Sequence, residues 1–568
     1  MVRPRSLPGL LVVAILITAC GTGSTQSGAG SSGSQPAAPK KLTWILNLEP
    51  DGFTELFGGS SSTHWRMLYG SMHDFLVVLD NNGDPVPRLA TGIPSRDNGS
   101  WKINLDGSME TTWRLRTDAK WHNGEPFRPA DYVFGWKVAR DPGVPFNKRS
   151  TAAIIDRIDS PDDSTLILHW TGLYAFADRI QPFDLDPFPT WHASLVDAYE
   201  NRKPEFGGHA WFNREFVGLG PYKLGSWAPG SHIVLEANDQ WYGGKPKIDR
   251  IDVRLILDAN TRLAAMLSGE GEFLYSLALE QRETFADQAV RDGRGQLIQH
   301  NVGRLQLAVL KQTNPLFGGP DKARQRQALL HALDREELAG VLSGERTNVA
   351  DSWLFKGSPK YEALKSKVVS YPYKPDEAQR LFAESGWARG ADGRLRDSSG
   401  QPFAFEYWAG DAAAAIVRDY WQRSGMEVTL FERPPALNND LEFRASFPAI
   451  QPTGNGVSLS FIDGRFHSRN IPTAANRFGG QNWGSYSDPE TDRLLERLVA
   501  TIDPREAWNV EGDILNVISR DVAYFPYYID AGSSAAARYV TGIKPVNAAC
   551  QSGDCDISWN IHEWDIVR

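Results

Sequence analysis

Three cysteines, eleven histidines and 69 carboxylates are the residues of this 568-residue chain whose types could do chemistry, and their spacing decides which kind. Cys550 and Cys555, in the run CQSGDC, can close a small disulfide loop; a zinc site would need two more ligands nearby, and only His562 is at hand. Cys20 ends Ile17-Thr18-Ala19-Cys20, with small residues just before the thiol. His122 has no neighbour in sequence for base or metal chemistry and reads as a loop histidine beside a tight turn. Asp162, Asp163, Asp184 and Asp186 miss the intervals of an EF-hand loop and read as turn formers on a solvated surface. GxSxG, HExxH, P-loop and CxxC motifs are all missing from the sequence. With 69 acidic residues some carboxylate pair is always close, so a glycosidase-like pair carries no information by itself. No metal or cofactor is expected.

The first twenty residues read as an address. Arg3 and Arg5 give a positive start and Leu10 to Ile17 an apolar run too short to span a bilayer as a permanent helix. With Cys20 the pattern resembles the lipobox of bacterial lipoproteins, which implies a leader over residues 1–19 and a lipid-bearing N-terminus at Cys20. Gly21 to Pro39 is almost wholly Gly, Ser, Thr, Gln, Ala and Pro, so residues 20–40 read as a flexible tether. Export puts Cys550 and Cys555 in an oxidising compartment. Of 60 basic side chains, Arg3 and Arg5 leave with the leader, and the remainder face 69 acidic ones. A net acidic chain without a basic run is a poor partner for nucleic acid or anionic lipid. At 41% hydrophobic and 23% charged it has material for more than one core. An adhesive or structural role would want repeats, and the chain has none.

The elements that must position a site are clearest from Phe216 to Gly269. Gly218, Gly220 and Pro221 make a turn into Tyr222-Lys223-Leu224, and Pro229-Gly230 turns into the alternating run His232 to Glu236, which is a hairpin. A glycine-rich aromatic loop follows, then the strand Ile251 to Leu255, and a helix over Asn260 to Leu267 capped by Asp258. This GLGPYKL…WAPG…IVLEAN…YGGKPKID run resembles the signature of the family 5 extracellular solute-binding proteins, the receptors of peptide ABC importers and of their relatives for nickel, opines and oligosaccharides. TWRLR…WHNGEPFRPADYVFG resembles a second block of that family, and RQALLHALDREELAGVLSG a third. Asp321 to Leu342 reads as helical, with a cap at Asp334. Strand Phe403 to Trp408, helix Ala412 to Arg423 and strand Met426 to Glu432 make a parallel βαβ unit, and Val522 to Ile529 is a return strand.

The resemblance implies a two-lobed α/β periplasmic-binding-protein-like fold of type II (cluster C), with mixed sheets, two hinge crossings and a ligand cleft. Lobe I would hold residues 41–303 and the C-terminal return 529–568, and lobe II residues 304–528, with crossings near Gly303 and Tyr528. It implies a monomeric receptor outside the cytoplasmic membrane that closes on a peptide or peptide-like oligomer and presents it to a permease. An oligosaccharide receptor is the alternative, and an extracellular hydrolase a more distant one. The family pattern puts Phe57, Asn147, Trp408, Trp421, Arg444 and Phe447 at the cleft. In the family's peptide receptors an aspartate after this arginine pairs with the peptide α-amine, and in LEFRASFPAIQP that place falls on Ile450. An apolar side chain cannot replace that anchor, so the ligand need not carry a free α-amine. Two readings stay open: a one-residue shift of register, or an acid reaching in from elsewhere. The lipobox is tested by Cys20→Ser, which should move the protein from the membrane fraction into the medium; retention in the membrane counts against it.

Overall fold

The alternating runs become strands of one large sheet. The computed structural model describes residues 38–50, 52–54, 63–144, 150–179, 190–409, 413–434, 437, 440–457, 459–476, 478–547, 550 and 555–568, and residues 40–568 form one unit. In chain order the ten strands are β1 (Lys41–Leu46), β2 (Tyr222–Ala228), β3 (His232–Ala237), β4 (Arg250–Leu255), β5 (Phe273–Leu274), β6 (Gly295–Leu310), β7 (Ala404–Ala409), β8 (Glu427–Glu432), β9 (Ile450–Asn455) and β10 (Tyr524–Ala537). Across the sheet they run β8-β7-β9-β6-β10-β5-β1-β4-β3-β2. β1 lies parallel to β4 and β5, and β7 parallel to β8 and β9. β6 is antiparallel to both β9 and β10. A separate four-stranded sheet holds Trp101–Ile103, Met109–Arg114, Ile155–Asp162 and Thr165–Trp170.

β6 and β10 connect distinct cores. Ile298 and Ala536 belong to a large cluster with Trp44, Trp113 and Trp564. Further along the same strands, Leu305, Leu307 and Ile529 join Trp353 and Ile514, while Ala308, Phe525 and Tyr527 join Trp421 and Leu329. The ladder slips between Gln299 and Gly303, and resumes with Gly303 opposite Ala531 and Arg304 opposite Asp530.

Two local expectations are corrected. The helical run from Asp321 to Leu342 is two helices, Ala323–His331 and Arg335–Ser343, because the Asp334 carboxylate accepts from the Glu337 backbone N–H and starts a new helix. The return strand reaches Ala537, eight residues beyond Ile529, since it pairs with β6 through both cores. The hairpin β2–β3 and the parallel pair β7–β8, with the helix Ala413–Arg423 between, form as the spacing predicts.

His122 ties two distant sequence blocks together. Its Nδ1 accepts from the Gly218 N–H at 3.0 Å, its backbone N–H donates to Gly218 O at 2.9 Å, and Nε2 reaches Gly220 O at 3.1 Å. With Nδ1 accepting, the proton sits on Nε2, and burial pushes the imidazole pKa down to about 3. The turn it holds passes hard against the end of the helix Thr63–Met72: a Cβ on Gly218 would sit 2.0 Å from Met72 O. Gly218→Ala should therefore destabilise the protein by roughly 2–3 kcal/mol or more. Gly70→Ala, on that same helix with open space around it, should instead stabilise by about 0.5–1 kcal/mol. Urea unfolding of both variants checks the pair; similar midpoints would contradict the packing of this turn.

An arginine-rich edge as the candidate binding site

β7, β8 and β9 all point their carboxyl ends toward the place where β6 and β10 pass between cores. In open α/β sheets ligands bind beyond that edge, because the loops there are free to carry side chains while the strands hold them still. Each strand delivers a group. β7 carries Trp408 next to its last residue, with the buried indole over Phe443 at 4.7 Å and beside Phe431 of β8 at 5.1 Å and its N–H donated to Glu406 Oε1 at 2.6 Å. β8 is followed at once by Arg433. The helix Leu441–Ala445 carries Arg444 and the helix Leu459–Phe466 carries Arg465. Arg304 stands on β6 at the crossing and donates to Gly454 O of β9 at 2.7 Å.

The electrostatics of this edge are one-sided. The guanidiniums of Arg444 and Arg465 both lie over the Trp483 indole, 4.1 and 3.9 Å from its centroid. Those distances hold the two charges within about 8 Å, where an effective dielectric of about 20 makes their repulsion roughly 2 kcal/mol. Burial pushes Arg465 down to about 9, helped by the charges of Arg444 and Arg304. Arg444 is lowered by burial and then by Arg433. Desolvation lowers the pKa of Arg304 against the pull of Asp530, although the residue as a whole stays exposed. Arg433 and Arg444 have no acidic partner among the described residues, and Arg433 Nε is buried without a hydrogen bond. Structural arginines in the same half of the chain look different. Arg326 donates to the carbonyls of Phe317, Gly319 and Asp521, and Arg335 to those of Ala350, Pro526 and Tyr371 and to the Asp351 carboxylate.

Two acids and one phenol stand near Arg304 or Tyr275. Asp530 of β10 is 3.5 Å from Arg282 and its pKa is raised by burial. Tyr275 feels Asp556, Arg304 and Arg66, and burial raises its pKa. Asp556 accepts from the Ser558 N–H at 2.8 Å, while its Oδ2 is buried without a hydrogen bond; burial pushes the carboxyl up to about 6, against the opposing pull of that bond and of Arg66.

The residues singled out in the sequence separate here. Trp408 and Arg444 come to this edge. Phe447 is fully buried beneath it, 6.4 Å from Trp408 and under the Lys311 ammonium at 5.0 Å. Trp421 is corrected to a core residue: its helix packs onto the sheet, its ring meets Phe405, Tyr407 and Phe525, and its N–H donates to Leu329 O at 3.0 Å. Ile450 opens β9, fully buried and paired with Leu310 and Tyr407, so no carboxylate stands at that position. Phe57, Asn147 and Cys20 lie outside the described residues. Cys550 and Cys555 come within 6.3 Å between Cα atoms. Arg304, Arg433, Arg465 and Trp483 escaped the sequence reading. The one available signal was Arg304, a charge interrupting the apolar alternation of β6. Among the described residues no cluster of His, Cys, Asp and Glu could hold a metal ion, and no helix is long and apolar enough to cross a membrane.

A mixed sheet shared by separate cores, with a site beyond the parallel strand ends where two strands cross, is the two-lobed type II periplasmic-binding-protein fold. The solved AppA of Bacillus subtilis, in complex with a nonapeptide, has a TM-score of 0.73 at 20% identity, over 94% of this chain and 100% of that one. NikZ of Campylobacter jejuni, in complex with Ni(L-His), has 0.74 at 19% identity, over 93% and 100%. Residues 84–471 match the model of the bacterial extracellular solute-binding proteins, family 5 (middle region), and the chain belongs to that family of solute-binding receptors. By sequence it is 25% identical over 552 residues to the oligopeptide-binding protein AppA of Bacillus subtilis, 91% of this chain and 92% of that one. It is 25% identical over 458 residues to the glutathione-binding protein GsiB of Pectobacterium atrosepticum, 78% and 81%.

Asp556 gives this site a pH signature. Its folded pKa of about 6 exceeds the unfolded value near 3.9, so between those two the folded chain keeps a proton that the unfolded chain has released. Its contribution is therefore full at low pH and falls by up to about 3 kcal/mol as pH rises from about 4 to 6. Asp556→Asn, which keeps an acceptor for Ser558, should flatten that slope and be the more stable protein at pH 7.5 but not at pH 4. Urea unfolding at the two pH values checks it; equal gaps at both would contradict it.

Proposed function

We propose that this protein is the extracytoplasmic receptor of an ABC importer, capturing a peptide or peptide-like oligomer between two lobes and delivering it to its permease by hinge closure. The lobes in this reading are residues 41–303 with 529–568, and residues 304–528. The observation that carries it is the joint edge of Trp408, Arg444 and Arg304, where strand ends from one core meet the two strands that lead to the other. The family supplies the receptor role, and the oligopeptide-binding and glutathione-binding names of its relatives support a peptide-like ligand. Binding without turnover, a monomeric state, a lipid anchor at Cys20 and a disulfide between Cys550 and Cys555 complete the reading. Because Ile450 offers no carboxylate, the ligand is read as a blocked or atypical peptide.

Ligand contacts from both lobes favour the shut state by their differential affinity. A peptide at a hundred times its dissociation constant should stabilise the fold by about 2.7 kcal/mol and reduce the radius of gyration in X-ray scattering. Calorimetry with matched free and N-acetylated peptides tests the anchor, with acetylation expected to cost little. Strong binding of free peptides that acetylation abolishes would return the protein to receptors that hold the α-amine. Stabilisation without compaction would remove the hinge.

A further inference from the structure

Where β6 ends, one side chain holds two distant pieces of the site. Leu310 is the last residue of the strand and Lys311 follows it. The Lys311 backbone N–H donates to Ala449 O and the Gln312 N–H to Gly484 O, both at 2.7 Å, so the strand end is laced on either side. The Lys311 ammonium donates to Ala445 O at 2.9 Å and to Trp483 O at 3.0 Å, and it lies 5.0 Å from the centre of the Phe447 ring. Ala445 closes the short helix that carries Arg444, and the last carbonyls of a helix lack partners within it. Trp483 is held at its side chain as well, by its indole N–H on Gly480 O at 3.1 Å. The loop behind it has no slack: a Cβ on Gly484 would lie 2.7 Å from Leu310 O. One ammonium thus ties the helix of Arg444 to the backbone of Trp483, and the Arg444 guanidinium lies 4.1 Å from the centre of that indole. Burial lowers the Lys311 pKa, so the chain keeps a charge here against its solvation cost. We propose that Lys311 is a positioning residue for ligand capture, holding the half-buried Arg444 and the Trp483 ring in register so that the ligand meets a pair already set. Two bonds from one point fix a distance, and a contact group held still before binding loses less freedom on binding. The proposal rests on the receptor reading above and deepens it by naming the residue that fixes its contact group.

The test joins NMR of the full mature protein, carrying isotope-labelled arginine, to calorimetry with N-acetyl-tetra-alanine. The signal lost in Arg444→Gln identifies the Arg444 Nε–H, which the ring current of Trp483 should displace from that of an arginine in water. Lys311→Met keeps a stem over Phe447 and removes both bonds to the carbonyls. It should return the Arg444 signal toward the solvated position and weaken the peptide about tenfold. Lys311→Arg, which keeps a charge and its donors, should recover part of both losses. In an Arg444→Gln background Lys311→Met should cost little further affinity, because the pair is already gone. Melting temperatures without peptide report folding alone, and if Lys311→Met does not fold, Lys311→Gln, which keeps one donor group, carries the same readouts. An Arg444 signal that stays in place in a folded variant without the Lys311 ammonium overturns the proposal and leaves Lys311 a structural residue. A moved signal with unchanged affinity overturns its link to capture. If the wild-type protein binds neither this peptide nor free tetra-alanine, the peptide reading falls, and the Arg444 signal still decides whether Lys311 sets the pair.

Discussion

A backbone that passes from one hydrophobic core to another must keep its amides and carbonyls paired on the way, and here an antiparallel ribbon does so on either side of one slip in its ladder. β6 and β10 hydrogen-bond to each other through both cores, so the link between them is a ladder and not a pair of free loops. The remaining architecture follows from that ribbon. β9 pairs with β6 in reverse, β7 and β8 run parallel to β9, and their carboxyl ends are thereby turned toward the crossing. Arg433 and the short helices that carry Arg444 and Arg465 follow β8 and β9 at that end of the sheet.

The charges at that edge are held against their own preference. Burial and mutual repulsion each lower the guanidinium pKa of Arg465, and a stacked indole returns only part of that cost. Arg326 and Arg335 show that the same fold can bury an arginine with three or four hydrogen bonds to its guanidinium. Groups whose pKa is pushed away from its ordinary value by burial and like charge are where binding sites depart from the rule that each local choice serves stability.

Much of the scaffold was legible in the chain. Asp258 and Asp334 announce helix starts, Pro229-Gly230 announces a hairpin, and the period-two runs announce β2, β3 and β4. The length of β10 was not legible, because its partner strand is more than two hundred residues away and the alternation fades through Gly532-Ser533-Ser534. The site was legible only in part. Trp408 and Arg444 lie on segments that reach the strand-end edge, with Trp408 itself buried, whereas Trp421 shows why a tryptophan near a cleft motif is a weak pointer: its helix turns that face to the sheet. Arg465 and Trp483 stand eighteen residues apart on segments of unlike structure, and only the folded chain brings them together.

The ten strands form one sheet, so the lobes share an elastic body as well as a joint. Strands in such a sheet are already rotated about 20–25° from neighbour to neighbour, and turning one lobe on the other winds or unwinds that existing twist about the β6–β10 ribbon. The ladder slips between Gln299 and Gly303, where the two strands pass between cores. The residues between those rungs are where the ribbon is least laced, and a backbone with fewer cross-strand bonds bends there first.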